Sequence, residues 1–200
     1  MVDVDPAFRT FVALIPPMAL TSRSLAVFRF GARLAGMVTR PVAGVEVHDR
    51  VSDGARVRVY QPKAGGTQAA LLWIHGGGLV VGTAEQDEVR ASLIARDLGV
   101  TVVSARYRLA PEHPYPAAAD DVLAAWQWLQ RYAQRLGVDR SRVAVGGESA
   151  GGGLAAGLAQ RLRDNGGQQP AGQLLVYPML DDRTVLRSDL DETHFRLWNN

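Results

Sequence analysis

A single serine stands among glycines where an apolar run meets a helical pattern, at residues 143–154. The five residues Gly147 to Gly151 read GESAG and match the motif G-x-S-x-G. In this motif the serine occupies a sharp turn between a strand and a helix, and its neighbours must be small to avoid the adjoining elements. The helix N-terminus below it favours developing negative charge. The pattern predicts Ser149 as a nucleophile for acyl transfer.

An isolated match of this length has a second interpretation, a glycine-rich turn whose serine only caps the following helix. A second motif favours the catalytic interpretation. The sequence IHGGGL at residues 74–79 follows another predicted strand, where enzymes of this architecture place backbone N–H donors for an oxyanion. We predict Gly77 and Gly78 as donors together with Ala150, and we expect His75 and Gly76 to support this loop rather than transfer protons.

Nucleotide binding is a competing prediction for the same glycines. Residues 151–156 fit G-x-G-x-x-A, a loose dinucleotide fingerprint, but they fall inside the helical pattern, and Gly147 to Ser149 occupy the turn after the strand. A phosphate-binding P-loop is excluded because the single lysine, Lys63, follows a proline.

Short apolar runs alternate with helical patterns over most of the chain. This order predicts an α/β fold, with a mostly parallel sheet covered by helices on both faces. The predicted strands are a hairpin at residues 45–50 and 56–60 with its turn at Ser52 to Gly54, followed by runs at 70–74, 100–104, 143–145 and 174–177.

Three amphipathic helices are predicted between the later strands, and two short helices at residues 1–40. The expected buried faces are Val89, Leu93 and Ile94; Val122, Trp126, Leu129 and Leu136; and Leu154, Leu158 and Leu162. The first two helices are interpreted as an N-terminal cap and residues 41–200 as the core. A membrane-surface anchor at 1–40 is the less favoured alternative, because Pro16 and Pro17 interrupt it.

Composition narrows the class of protein. Two hundred residues suit one domain with a sizeable core, and a net charge of +2 without a basic stripe argues against nucleic-acid binding. The chain has no cysteine, which excludes a disulfide framework and a cysteine nucleophile. Two aspartates near the N-terminus argue against a secretory signal, and no apolar run reaches the length of a membrane span. We therefore expect a cytoplasmic protein without stable membrane insertion.

Four segments together resemble the hormone-sensitive-lipase family of α/β-hydrolase esterases: IHGGG at 74–78, YRLAPEHPYPAA at 107–118, GESAGG at 147–152 and YPMLD at 177–181. The resemblance implies an eight-stranded sheet, an N-terminal cap and hydrolysis of small-molecule carboxylic esters of short or medium chain, without a cofactor or metal. The resemblance also implies that Glu112 and His113 have a structural rather than a catalytic role near the site. Glu148 stands where family members often carry aspartate, and we expect it to anchor the nucleophile's surroundings.

The serine also requires an acid and a histidine, which follow it in that order in this fold. His194 comes after Asp189 and Asp191, but no strand pattern precedes it, and we interpret it as the start of the next family segment. Six strands are predicted where the family has eight. We therefore expect the acid and base beyond Asn200, and we expect residues 1–200 alone to be inactive and to self-associate through the edge at 174–177.

Two functions stay open at this point. The first is a serine carboxylesterase that forms an acyl-enzyme. The second is a binding protein on the same scaffold that has lost the catalytic histidine and holds a small ligand. Formation of a homo-oligomer is also left open.

Overall fold

The computed structural model describes residues 5–14, 22–181 and 183. The chain divides into two compact units, residues 27–180 and, separately, residues 1–26 with 181–200. Within the second unit, helix α1 spans Pro6–Leu14. The carboxylate of Asp5 accepts a hydrogen bond of 2.9 Å from the N–H of Ala7 at the start of this helix. Helix α2 spans Ser22–Val38. The division into a cap at 1–40 and a core at 41–200 stays a prediction.

The sheet begins with the predicted hairpin, strands β1 (Val45–Ser52) and β2 (Ala55–Pro62). Asp53 and Gly54 both have positive φ angles, 53° and 76°, which is the backbone of a two-residue turn that matches the twist of the strands. The hairpin is therefore confirmed, with each strand longer than its alternating run.

Four further strands complete a six-stranded sheet over the described residues, in the order β1-β2-β4-β3-β5-β6. Strand β2 pairs antiparallel with β4, whereas β4, β3, β5 and β6 are parallel to one another. Their bounds are β3 Ala70–Ile74, β4 Thr101–Ala105, β5 Val143–Glu148 and β6 Gln173–Val176. The mostly parallel sheet is confirmed.

Three helices cover the two faces of this sheet: α3 (Glu88–Leu98), α4 (Ala117–Tyr132) and α5 (Ala150–Asp164). Alternate residues of β3 enter different cores. Leu72 and Ile74 join the core that α4 and α5 cover, while Leu71 and Trp73 join the core under α3. A strand buried on both faces reads as a continuous apolar run, which is why β3 carries no alternation.

The predicted buried face of α3 was wrong. Val89 and Leu93 are 44% and 36% exposed, and of the three expected residues Ile94 alone packs partly against the core. The helix instead buries Glu88, whose carboxylate accepts hydrogen bonds of 2.8 Å from both Arg58 and Tyr60. These polar partners on β2 rotate the helix so that its small residues face the sheet.

The predicted extent of α4 also needs correction. The helix ends at Tyr132, and Leu136 lies in a separate 3₁₀ turn, Ala133–Leu136. Gly137, with a φ of 67°, follows this turn and redirects the chain. Leu136 still packs against the core that α4 covers. The periodic pattern therefore predicted correctly that Leu136 packs against the core, but wrongly that it belongs to the same helix.

Candidate active site

Both glycine motifs leave neighbouring parallel strands at the same edge of the sheet. Strand β3 pairs with β5 with Ile74 opposite Gly147, so the loop that begins at His75 and the turn at Ser149 start side by side. A β-carbon built on Gly76 would lie 3.4 Å from Cβ of Ser149 and 3.1 Å from the carbonyl oxygen of Glu148. The predicted oxyanion loop therefore lies directly against the predicted nucleophile.

Ser149 adopts a strained backbone conformation. Its φ is 52° and its ψ is −120°, a combination that costs a non-glycine residue on the order of 1–3 kcal/mol. Hydrogen bonds from the elements around it hold the turn. The N–H of Ser149 donates to the carbonyl of Val176 on β6 (2.9 Å), and its carbonyl accepts from the N–H groups of Gly153 (3.1 Å) and Met179 (3.0 Å). Strain maintained by surrounding structure is common at functional sites.

The glycines around Ser149 are required by close backbone contacts. A β-carbon on Gly147 would stand 2.7 Å from the carbonyl oxygen of Ile74, and one on Gly151 would overlap the carbonyls of Ile74 and His75. Gly152 faces Pro178, where an added Cβ would come within 2.8 Å. Side chains at these positions would force the turn away from β3.

The loop after β3 presents free backbone donors. Gly77 and Gly78 have φ angles of 120° and 59°, and the carbonyl of Gly77 accepts hydrogen bonds from the N–H groups of Val80 (3.1 Å) and Val81 (2.9 Å). Within the described part of the chain, the N–H groups of Gly77, Gly78 and Ala150 have no acceptor. Three unengaged donors beside a serine form an arrangement able to stabilise an oxyanion.

His75 is buried below this loop and holds it. Its Nδ1 donates to the carbonyl of Gly76 (2.8 Å), and its ring stacks on that of Tyr107 at a centroid distance of 4.2 Å. The Tyr107 hydroxyl donates to the carbonyl of His75 (2.9 Å). Burial lowers the pKa of His75 to about 4, so the imidazole is neutral near pH 7.

Glu148, the residue before Ser149, is largely buried and belongs to a polar network. Its carboxylate accepts hydrogen bonds from Arg90 and from the Tyr177 hydroxyl, the latter at 3.0 Å. Arg90 also pairs with Asp87 (3.0 Å), which accepts from the indole N–H of Trp73 (2.8 Å). Sequence reasoning missed Arg90, Asp87 and Trp73. No local signal marks them, since the network joins residues far apart in the chain.

The proline-rich segment at 107–118 lies beside the oxyanion loop. The N–H of Ala110 donates to the carbonyl of Leu79 (2.9 Å), and the peptide bonds before Pro111 and Pro116 are cis. Asp121 fixes the start of the segment, because its carboxylate accepts from the backbone N–H (2.8 Å) and the guanidinium (2.9 Å) of Arg108. This segment thus supports the loop through its backbone.

Two cavities lie near these elements. One, of about 530 Å³, is bordered by Arg29, Arg33, His75, Tyr107 and Glu112 among others. The second, of about 930 Å³, runs along α4 and α5. Ser149 lines neither of them. His194, Asp189 and Asp191, which were interpreted as the start of the next family segment rather than as the base and acid, lie outside the described residues.

Comparisons with known proteins agree with this geometry. A family model described as alpha/beta hydrolase fold matches residues 71–197. Ethyl acetate hydrolase of Pseudomonas putida is 38% identical over 156 residues, covering 75% of this chain and 49% of that protein. Carboxylesterase NlhH of Mycobacterium tuberculosis is 38% identical over 184 residues, covering 88% of this chain and 57% of that protein.

The similarity extends to three-dimensional structure. A solved structure of a bacterial heroin esterase superposes with a TM-score of 0.85 at 36% identity, covering 98% of this chain and 64% of that one. The esterase LipW from Mycobacterium marinum gives a TM-score of 0.78 at 37% identity, covering 90% and 59%. The chain has the α/β-hydrolase fold, and within that fold it belongs to the hormone-sensitive-lipase family of esterases.

The chain spans about half the length of the curated relatives it matches. Among the residues that the structure describes, no helix is both long and apolar enough to cross a membrane.

Proposed function

We propose that the whole protein containing this chain is a serine carboxylesterase acting on small-molecule esters of short or medium acyl chain. The observation that carries this proposal is the strained serine at the β5–α5 turn, which lies against a glycine loop in which the N–H groups of Gly77 and Gly78 have no acceptor among the described residues. The names of the relatives, ethyl acetate hydrolase and carboxylesterase among them, support the same class of substrate.

In the proposed mechanism, Oγ of Ser149 attacks the ester carbonyl carbon, while a base takes the hydroxyl proton. The N–H groups of Gly77, Gly78 and Ala150 bind the resulting oxyanion. Collapse of this intermediate expels the alcohol, which receives the proton, and leaves an acyl group on Ser149. Water then attacks the acyl-enzyme, again with proton transfer through the base, and releases the acid and the free serine.

The base and its orienting acid are assigned to no described residue. His75 is unsuited to the role, because it is buried, neutral and hydrogen-bonded to the loop that it supports. Glu148 is likewise engaged by Arg90 and Tyr177. The family resemblance places the acid and the histidine on loops that follow the last two strands of an eight-stranded sheet, and we propose that they come from chain beyond Asn200.

The decisive experiment is ester hydrolysis by the whole protein and its Ser149→Ala variant, using p-nitrophenyl acetate, butyrate and octanoate. We expect kcat to fall by a factor on the order of 10⁴ or more, as for removal of other serine nucleophiles. Ser104→Ala is the matched control, because the hydroxyl of Ser104 is buried on β4 without a hydrogen-bond partner among the described residues. A Ser149→Ala protein with near wild-type turnover would refute the proposal.

A further inference from the structure

A single arginine of helix α2 contacts both segments that frame the oxyanion loop. Nε of Arg29 donates to the carbonyl of Val80 (2.7 Å), and its Nη2 donates to the carbonyl of Ala110 (2.6 Å). The same guanidinium binds Glu112 with two hydrogen bonds, of 2.6 and 2.9 Å. Three separate pieces of chain, α2, the loop after β3 and the proline-rich segment, therefore meet at this side chain.

Of the two peptide groups that Arg29 binds, that of Val80 belongs to the turn that follows Gly77 and Gly78, and that of Ala110 belongs to the segment hydrogen-bonded to this turn. The N–H of Val80 donates to the carbonyl of Gly77, while the carbonyl of Val80 accepts from Arg29. Leu79, which precedes Val80 in this turn, has a φ of 66°, in the left-handed region, and its carbonyl accepts a hydrogen bond from the N–H of Ala110. A residue other than glycine adopts this backbone conformation only when the surrounding structure holds it there. The hydrogen bonds of Arg29 and Ala110 provide it.

The residue type suits this position. The guanidinium of Arg29 uses three nitrogens for four hydrogen bonds, an arrangement that a lysine ammonium cannot reproduce because it lacks the planar fork. The side chain of Arg29 is 19% exposed, so water has little access to replace it as the donor to the carbonyls of Val80 and Ala110. The pKa of Glu112 is lowered to about 2, chiefly by its hydrogen bonds to Arg29, so the ion pair persists through the neutral and mildly acidic range.

Helix α2 also carries an arginine that makes none of these contacts. Arg33 follows Arg29 by one helical turn and borders the same cavity of about 530 Å³. It is exposed and has no hydrogen-bond partner within the described residues. The two arginines share helix, chemistry and neighbourhood, which makes Arg33 a control for the effect of positive charge on this helix.

We propose that Arg29 is a positioning residue for the oxyanion hole, which fixes the turn at residues 77–80 and thereby couples the docking of α2 to stabilisation of the oxyanion. This inference rests on the proposed function. Arg29 does not touch the reacting atoms; it acts through the carbonyl of Val80. Its loss should therefore impair the step that builds negative charge more than it impairs binding of the ester.

The kinetic test compares Arg29→Gln, Arg29→Lys, Arg33→Gln and Arg33→Lys in the whole protein. Hydrolysis of p-nitrophenyl butyrate is normalised to the active sites titrated with a phosphonate ester, so that misfolded molecules do not count. For Arg29→Gln we expect kcat per titrated site to fall about 10- to 100-fold, less than the loss for removing an oxyanion donor outright. KM should change by less than about threefold, and Arg29→Lys should recover part of the loss. The Arg33 variants should match the wild type.

A second measurement does not depend on catalysis. Hydrogen–deuterium exchange in residues 79–82 and at Ala110 reports whether the turn is held, since the N–H groups of Val80, Val81 and Ala110 are bonded within it. We expect faster exchange there in Arg29→Gln and unchanged exchange in Arg33→Gln. If the wild type proves to lack esterase activity, the proposed function fails, while the exchange result still decides whether Arg29 positions the loop. Unchanged exchange, or a kcat per site within twofold of wild type in Arg29→Gln, would overturn the inference.

Discussion

Arg90 on helix α3 binds the carboxylate of Glu148, the residue immediately before Ser149. The same guanidinium pairs with Asp87, whose side chain is almost fully buried, so one cation serves two carboxylates at the base of the nucleophile turn. Burial raises the pKa of Asp87, which the hydrogen bond from Trp73 and the charge of Arg90 oppose. The turn at Ser149 is thus tied to α3 through charge.

Removing this cation should destabilise the protein. Arg90→Leu removes the cation shared by Glu148 and Asp87 and leaves only the hydrogen bonds from Tyr177 and Trp73, and we expect a loss of about 2 kcal/mol in the free energy of unfolding. This is below the usual cost of breaking a buried pair, because Arg90 is itself 46% exposed. Arg96→Leu is the matched control on the same helix, because its pair with Asp97 is exposed to solvent and should contribute little to stability. Urea denaturation of both variants tests the difference, and equal losses would contradict it.

Networks of this kind explain what the sequence could and could not predict. The motifs at residues 74–78 and 147–151 are local, so the strands before them and the two glycine turns that follow could be predicted from apolar runs and glycine positions. Arg90 and Glu148 are 58 residues apart, and no spacing rule connects them. The same applies to Arg29 and Glu112, which are 83 residues apart.

Polar partners also account for the error in α3. Apolar periodicity predicted Val89 and Leu93 as the buried face of the helix, but it carries no information on the hydrogen bonds by which Arg58 and Tyr60 hold Glu88 in the interior.

Strand β5 was predicted to end at Val145 because glycine weakens a strand pattern. It continues to Glu148, since Gly146 and Gly147 pair with Leu174 and Leu175 on β6.

The buried imidazole of His75 should make stability depend on pH. Its pKa is about 4 in the folded protein against an ordinary value of 6.5, so the unfolded state binds more protons between these values. The stabilisation is present in full above pH 6.5 and is lost as pH falls toward 4, by at most about 3 kcal/mol.

The measurement is the free energy of unfolding from pH 7.5 to 4 for the wild type and His75→Asn. Asparagine at 75 keeps a donor for the carbonyl of Gly76 but does not titrate, so its profile should be flatter than that of the wild type. Parallel profiles for wild type and His75→Asn would show that His75 does not titrate in this range.

Replacing glycine by alanine should change the stability of the protein in opposite directions at two positions of α5. Gly151→Ala places a methyl group against the carbonyls of Ile74 and His75, and we expect a loss of at least about 4 kcal/mol or failure to fold. Gly157→Ala meets open space on the exposed face of the same helix and should stabilise by about 0.5–1 kcal/mol. Thermal unfolding of the two proteins distinguishes them, and a tolerated Gly151→Ala would mean that the turn is less constrained than its contacts indicate.

The outer edge of β6 should promote self-association of residues 1–200 expressed alone. Over the residues that the structure describes, strand β6 ends the sheet order, and Leu174 and Tyr177 are 49% and 70% exposed. An exposed apolar edge strand presents unpaired backbone groups to another chain. We expect Leu174→Lys to reduce association, and Leu98→Lys, at a comparably exposed site at the end of α3, to leave it unchanged. Sedimentation velocity over a concentration series measures this, and a monomeric wild-type chain would contradict it.

The most direct test of the proposed role of Ser149 is to trap it. The whole protein is incubated with a p-nitrophenyl phosphonate ester, which mimics the tetrahedral intermediate and phosphonylates an activated serine with release of p-nitrophenol. Peptide mass spectrometry then locates the adduct. We predict one phosphonyl group per molecule, on the peptide that contains Ser149, and none in Ser149→Ala. Stoichiometric modification of a different residue, or ester hydrolysis that persists after incubation without any adduct on Ser149, would contradict the assignment.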